Sequence, residues 1–285
     1  MINKTDTQRI KEYNEILQKY RAGKHFVEKR CLAAENWWRL RNSAEEAKET
    51  QTLSGFKAVS GWLHNVIVSK HADGMDAYPQ PNILPREPGD RAAAEALSKI
   101  LPVVLEQNDF EQVYSDALWQ KLKTGTGVYK VVWDSDKLSG LGDISIQRVD
   151  LLSLFWEPGL SDIQKSPSLF QVSWEDNEEL IARYPQLKGR LKSSAFNPAR
   201  FTGEDLTLPE GKSLLVEVWY KKFAGGQKIL HCCRYVGDVV VYDSEGVGGR
   251  IATACGLAMT GDAGERIATA PEGPRNDRRG ASAGC

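Results

Sequence analysis

The chain has 285 residues, 41% of them hydrophobic, which is enough apolar side chain for one large core or two ordinary ones. Lysine and arginine total 37 against 38 acidic residues, so no bulk positive charge marks a surface that binds nucleic acid indiscriminately. No apolar run approaches the roughly 20 residues of a membrane span, and the opening MINKTDTQRIKEYNE has no apolar signal-peptide core. The five scattered cysteines, Cys31, Cys232, Cys233, Cys255 and Cys285, do not form a disulfide framework, and the expectation is a folded cytosolic protein with reduced thiols and no membrane partner.

From Asp6 to Glu49 apolar residues recur at Ile10, Tyr13, Leu17 and Tyr20, then at Val27, Cys31, Ala34 and Trp38. That spacing predicts helix, with Gly23 as a break between two. Neighbouring Trp37 and Trp38 point about 100° apart on a helix, so at least one should meet a second element or another subunit, two core tryptophans in one monomer being the simpler reading. A second helix is expected from Gly55 to Lys70, followed by extended chain where three prolines fall between Tyr78 and Pro85. Asp90 is placed as the N-cap of a helix with Ala94, Leu97, Leu101 and Val104 on one face and Pro102 as a kink. Asp109 with Gln112 resembles a capping box for the next helix, which Gly125 should end as a C-cap.

After Gly127 the period changes from helical to alternating, with Tyr129, Val131 and Trp133 on one face of a strand and Ile144 and Ile146 opening another. The residues DSDKLSGLGD supply the turn between them. Leu152 to Trp156 reads as a further strand, Asp176 to Tyr184 as a short helix, and Lys188 to Gly211 as a polar connection. Leu214 to Phe223, Gln227 to Tyr235 and Val239 to Asp243 form a meander with turns at Gly225-Gly226 and Gly237-Asp238. After Ser244 the chain turns to glycine, alanine and arginine without aromatic residues, a composition expected to stay disordered or weakly structured. RIATA occurs at Arg250 and again at Arg266, too little for a solenoid.

No constellation supports catalysis, a cofactor or a metal. His64, His71, Asp73 and Asp76 lie close in sequence, but two histidines seven apart on a helix are about 10 Å distant along its axis, too far to share an ion. KTGTGVYK, Lys123 to Lys130, has phosphate-loop residues in the order helix, glycines, strand, whereas a phosphate loop precedes its helix. Gly246-Val-Gly248 lacks the third glycine of a dinucleotide fingerprint, since Ile251 stands there. Asp134 and Asp136 fall in a turn, and Cys232 and Cys233 point to opposite faces if they lie in a strand, which makes a shared zinc ion or a bridge between them unfavourable.

The block from Gly55 to Gly189, with SGWLHNVIVSKHADGMDAYPQPNILP, then DFEQVYSDALWQKLKTGTGVYKVVWD, then GLGDISIQRVDLLSLFWEPGLSDIQKSPSLFQVSWEDNEEL, resembles tailed-bacteriophage portal proteins. The later VEVWYKK and CCRYVGDVVVYDSE are similar to the portal wing. The residue pattern and the resemblance together lead to the expectation of an α+β fold, with N-terminal helices over 1–50 and a helical and antiparallel β-rich, portal-wing-like region over 51–245, while composition alone leads to the expectation of a disordered tail over 246–285. It implies a virion protein that is not an enzyme, assembled in the bacterial host cytoplasm into a ring, usually of twelve copies, at one capsid vertex. DNA passes through the channel of such a ring, and its partners are terminase, which hydrolyses the ATP, together with capsid, scaffold and head-to-tail connector proteins. No DNA-contacting residue follows from the resemblance. Portal proteins continue beyond the wing into stem, clip and crown, and the different chain here leads to the expectation of a truncation or frameshift near Ser244. A non-enzymatic structural or adaptor protein that binds a partner through its N-terminal helices is the alternative.

Overall fold

The computed structural model describes residues 4–40, 61–134, 137–191, 196, 198–199, 211–224, 227–245 and 256–260. Helix α1, Lys4–Trp38, runs unbroken through Gly23 and buries Ile10, Leu17, Tyr20 and Cys31 along one side. Gly23 is therefore not a break. A Cβ at that position would stand 2.1 Å from Cγ of Pro158, so the glycine lets the loop around Pro158 lie directly on the helix. Gly23→Ala would gain about 1 kcal/mol from helix propensity alone. The overlap with Pro158 is expected to reverse that sign and leave a net loss of about 1–2 kcal/mol, read as a lower urea midpoint; a gain in stability would show that the loop yields freely.

The surface beneath α1 is a five-stranded antiparallel sheet in the order β3-β4-β5-β6-β7, made of Leu154–Trp156, Ser168–Asp176, Lys212–Ala224, Gln227–Val236 and Val239–Asp243. Strand β4 falls where no strand was expected, yet Phe170 and Val172 alternate toward α1 and are fully buried. They join Phe155, Val216, Val218 and Tyr235 under Ile10, Leu17 and Tyr20, with Phe170 edge-on to Tyr20 at 5.7 Å. Fully burying such side chains is worth about 1.5–3 kcal/mol each. At the N-terminal end of α1, Arg9 donates to Asp243 at 2.5 Å and to the Tyr220 hydroxyl at 2.5 Å, fastening the helix to the far end of the sheet.

The meander matches its expected positions, and β5 explains its nearly continuous apolar sequence by being buried on both faces from Ser213 to Tyr220. On the face away from α1, Leu215, Val236 and Val239 pack on Leu180 of the short helix Asn177–Arg183 and on Leu187. Asp176 begins that helix by accepting from the Glu178 amide at 3.0 Å. Cys232 and Cys233 do face opposite ways, Cys233 into the α1 core and Cys232 opposite Trp219, and both are buried free thiols.

A second sheet has the order β2-β1-β8, with β1, Gly127–Asp134, pairing with β2, Asp143–Val149, as the expected hairpin. Strand β8, Gly256–Thr260, lies along the other side of β1 with Val128 opposite Met259. This short strand comes from the glycine-, alanine- and arginine-rich end; the rest of 246–285, including both RIATA copies, Gly246, Gly248 and Cys285, falls outside the described residues.

The two sheets meet through charge. Lys130 of β1 and Arg234 of β6 both bind Glu217 of β5, Arg234 at 2.7 Å, while the Trp219 indole donates to the same carboxylate at 2.6 Å and Lys130 also reaches Gln171 at 3.0 Å. Burial alone would raise the Glu217 pKa, but the charges of Lys130 and Arg234 and these hydrogen bonds outweigh it and hold the carboxylate down at about 2.

Candidate assembly surface

Among the described residues, three further long helices pack together beside α1: α2, Trp62–Asp76, α3, Arg91–Gln107, and α4, Phe110–Thr124. Helix α4 is the hub, since α1, α2 and α3 all pack on it. Gly125 ends it in the left-handed region at φ 84°, its N–H on the Lys121 carbonyl at 2.8 Å, as its sequence position implied. The capping box at its start is not formed. Asp109 is itself left-handed at φ 46° and makes no side-chain cap bond, while Gln112 turns outward to Asp116 at 3.0 Å. Asp90 likewise precedes α3 without a side-chain cap bond.

Helix α2 is fixed by rings. His64 stacks on Trp38 at 4.2 Å and His71 stacks on Trp119 at 4.2 Å, with Trp38 edge-on to Trp119 at 5.4 Å between them. His71 also meets the Ser115 hydroxyl at 3.0 Å. Both histidines that invited a metal reading are thus packing partners of tryptophans, and among the described residues no group of three or more His, Cys, Asp or Glu converges. Of the tryptophan pair, Trp38 enters this stack while Trp37 is 55% exposed.

What α2 and α3 leave uncovered is apolar. Helix α2 buries Ile67 but exposes Trp62 to 76%, together with Leu63, Val66 and Val68. Helix α3 buries Ala94 inward and carries Leu97, Ile100 and Val103 outward, a stripe at three-residue spacing. Leu97 therefore lies off the buried face to which its sequence spacing assigned it. Soluble monomers rarely show so many large apolar side chains together, and such faces mark contacts with other molecules.

The β1–β2 hairpin continues this character at its tip, where Trp133, Leu138 and Leu141 are exposed, Leu141 to 83%. Leu138, Ser139, Gly140 and Gly142 all have positive φ, and Gly142 sits so close under Trp133 that a Cβ would stand 2.6 Å from the indole nitrogen. Asn108, at the elbow between α3 and α4, holds the hairpin in place: its amide donates to Val104 at 2.7 Å and to Ile144 at 3.1 Å, and its oxygen accepts from Lys137 at 2.7 Å and from the Ile146 amide at 3.1 Å. Asn108→Ala should cost about 2–3 kcal/mol through the strand amide and carbonyl left unpaired, seen as a lower thermal midpoint and faster amide exchange at Ile146. Unchanged exchange there would show that the hairpin holds itself.

Two other polar placements carry no signal in sequence. Lys24 is buried under α1, its ammonium donating to the Leu151 and Leu154 carbonyls, the latter at 2.6 Å, and 4.2 Å from the Phe155 ring centre. Burial pulls its pKa down to about 8. Glu35 is buried too; desolvation raises its pKa, but hydrogen bonds from Lys123 at 2.8 Å and Arg39 at 2.7 Å outweigh this and keep it lowered. The Lys123–Lys130 segment runs helix, glycine cap, strand, so its glycines serve the crossing into β1. Asp134 closes β1 opposite Asp143, and Asp136 lies outside the described residues.

No helix among the described residues is long and apolar enough to cross a membrane, and no curated protein matches the chain. The profile described as Phage P22-like portal protein matches residues 75–232, from the end of α2 through α3, α4, the hairpin and the larger sheet as far as Cys232 in β6. Since this is more than half of the 285 residues, the chain belongs to the family of phage P22-like portal proteins.

Proposed function

We propose that this chain is a ring-forming subunit of the portal at a capsid vertex, through which phage DNA is packaged and ejected. Portal proteins are structural, and family membership over residues 75–232 is the observation that carries this reading. The exposed apolar stripes of α2, α3 and the hairpin tip add to it, because a closed ring buries two different surfaces of every subunit. Its partners in that setting are further copies of itself, then terminase, capsid, scaffold and connector proteins, with DNA in the channel. Negative-stain electron microscopy of the purified protein, paired with native mass spectrometry, tests the assembly. Closed rings of one subunit number are expected; a monomer at every concentration up to that of capsid assembly would defeat the proposal.

A further inference from the structure

We propose that the outward face of the second half of α1 seats on the outward face of α3 and the α3–α4 elbow of a neighbouring copy of this chain. Each subunit would offer one surface and receive the other. The pairing rests on the ring-forming reading and names the contact that closes the ring. On α1, Lys19, Phe26, Lys29, Arg30, Ala33 and Trp37 are all exposed, and at about 100° per residue they fall on one side of the helix, within a sector roughly 120° wide. Phe26 is 74% exposed. The face carries charge of one sign. Between Gln18 and Leu40 the exposed charged side chains are Lys19, Lys29, Arg30 and Arg39, whereas both carboxylates, Glu28 and Glu35, are buried. Glu35 is taken up by Lys123 and Arg39, and Glu28 acts inward on Lys24.

The face on α3 is complementary. Ala93, Ala96, Leu97, Ile100 and Val103 are exposed along it, and its charged border is acidic. From Ile100 to Gln120 the only charged residues are Glu106, Asp109, Glu111 and Asp116, four exposed carboxylates. Lys137 reaches this elbow, but its ammonium is committed to the Asn108 side-chain oxygen at 2.7 Å and the Ile144 carbonyl at 3.0 Å. The faces also agree in length, Phe26 to Trp37 covering roughly 16 Å and Ala93 to Val103 roughly 15 Å along their axes. Alanines between the large side chains on both let two helices approach closely. Each face alone leaves large apolar groups in water, and a head-to-tail ring requires two different, mutually fitting surfaces on every subunit. A DNA duplex would satisfy the cations of α1 but offers Phe26 and Trp37 no apolar partner, whereas the α3 stripe with its acidic border meets both needs. Aromatic and arginine side chains are also those that protein contacts concentrate.

Charge reversal tests the pairing in the full chain. Lys29→Glu with Arg30→Glu reverses the α1 face, and Glu106→Lys with Glu111→Lys reverses the elbow. All four side chains are exposed, so both variants should fold with thermal midpoints close to that of the unaltered chain. Followed by native mass spectrometry, each variant alone should need at least about a tenfold higher concentration than the unaltered chain to assemble, since like charges then face each other. Mixed one to one, the two variants should assemble at the concentration of the unaltered chain and alternate around the ring, because each now meets its opposite charge. A mixture that associates no better than its components, or a variant that assembles alone as readily as the unaltered chain, would overturn the pairing while rings of the unaltered chain keep the portal reading. An unaltered chain that stays monomeric would remove both. Rings that survive the α1 reversal while binding of a short DNA duplex is lost would overturn the pairing and assign that face to nucleic acid.

Discussion

Replacing Glu217 with glutamine is expected to cost about 3–5 kcal/mol, because it leaves the buried Lys130 ammonium and the Arg234 guanidinium without their common counter-charge. Urea denaturation of the full chain measures it. A double replacement, Lys130→Met with Glu217→Met, removes both desolvation costs together and should lose less than the single change, since Arg234 is one-third exposed and can turn to solvent. If the double variant loses as much, the pair attracts by more than it costs to bury. The pH dependence carries a definite sign. With its folded-state pKa depressed to about 2 from an ordinary 4.5, Glu217 contributes stability in full above pH 4.5, and that contribution drains away as the pH falls toward 2. Glu217→Gln should therefore flatten the acid limb of the stability profile between those values, and an acid limb as steep as in the unaltered protein would show that other carboxylates govern it.

Ile100→Asp on the outward stripe of α3 should separate assembly from folding. Its side chain is 55% exposed, so a carboxylate there costs the isolated subunit little, with an expected change in unfolding free energy within about 0.5 kcal/mol. At a subunit contact the same charge would be buried without a partner in every interface of the ring, a cost of several kcal/mol for each contact. The expected result is loss of rings on electron-microscopy grids with an unchanged thermal midpoint of the monomer. Rings that persist would place α3 on an outer surface and move the search to Trp62 and the hairpin tip. Leu141→Asp, at 83% exposure, is the matched control for that tip.

The parts of this fold written in local chemistry could be read directly. Gly125 ends α4, the turn after Asp134 joins two strands, and Asp176 starts its helix, because each depends only on backbone angles or a side chain within a few residues of itself. The failures share the opposite cause. Gly23 looked like a helix break, and only Pro158, 135 residues further on, explains a glycine there. Asp109 and Gln112 had the spacing of a capping box, but the elbow that lets Asn108 reach the hairpin puts Asp109 in the left-handed region and takes its side chain out of range. Strand β4 carries a period of two in Phe170, Val172 and Trp174, but the polar stretches on either side of it hide that short alternation. The surface was the least legible part. Leu97, Ile100 and Val103 have the composition of a core face, and nothing local distinguishes an apolar stripe turned inward from one turned outward. The cluster of Glu35, Arg39, Gln120, Lys123 and Arg148 joins residues from three separated segments, so no spacing rule could have gathered them.

The fastening of Arg9 to Tyr220 spans 211 residues of chain. At the roughly 5–20 residues per second of protein synthesis, α1 leaves the ribosome roughly 10–40 s before the strand it must cover. Throughout that interval Ile10, Leu17 and Tyr20 have no sheet to rest on, and β4 waits with one open edge for β5. The larger sheet with its helix can close only once β5, β6 and β7 have all emerged, so until then a nascent chain of this protein carries the apolar side of α1 uncovered.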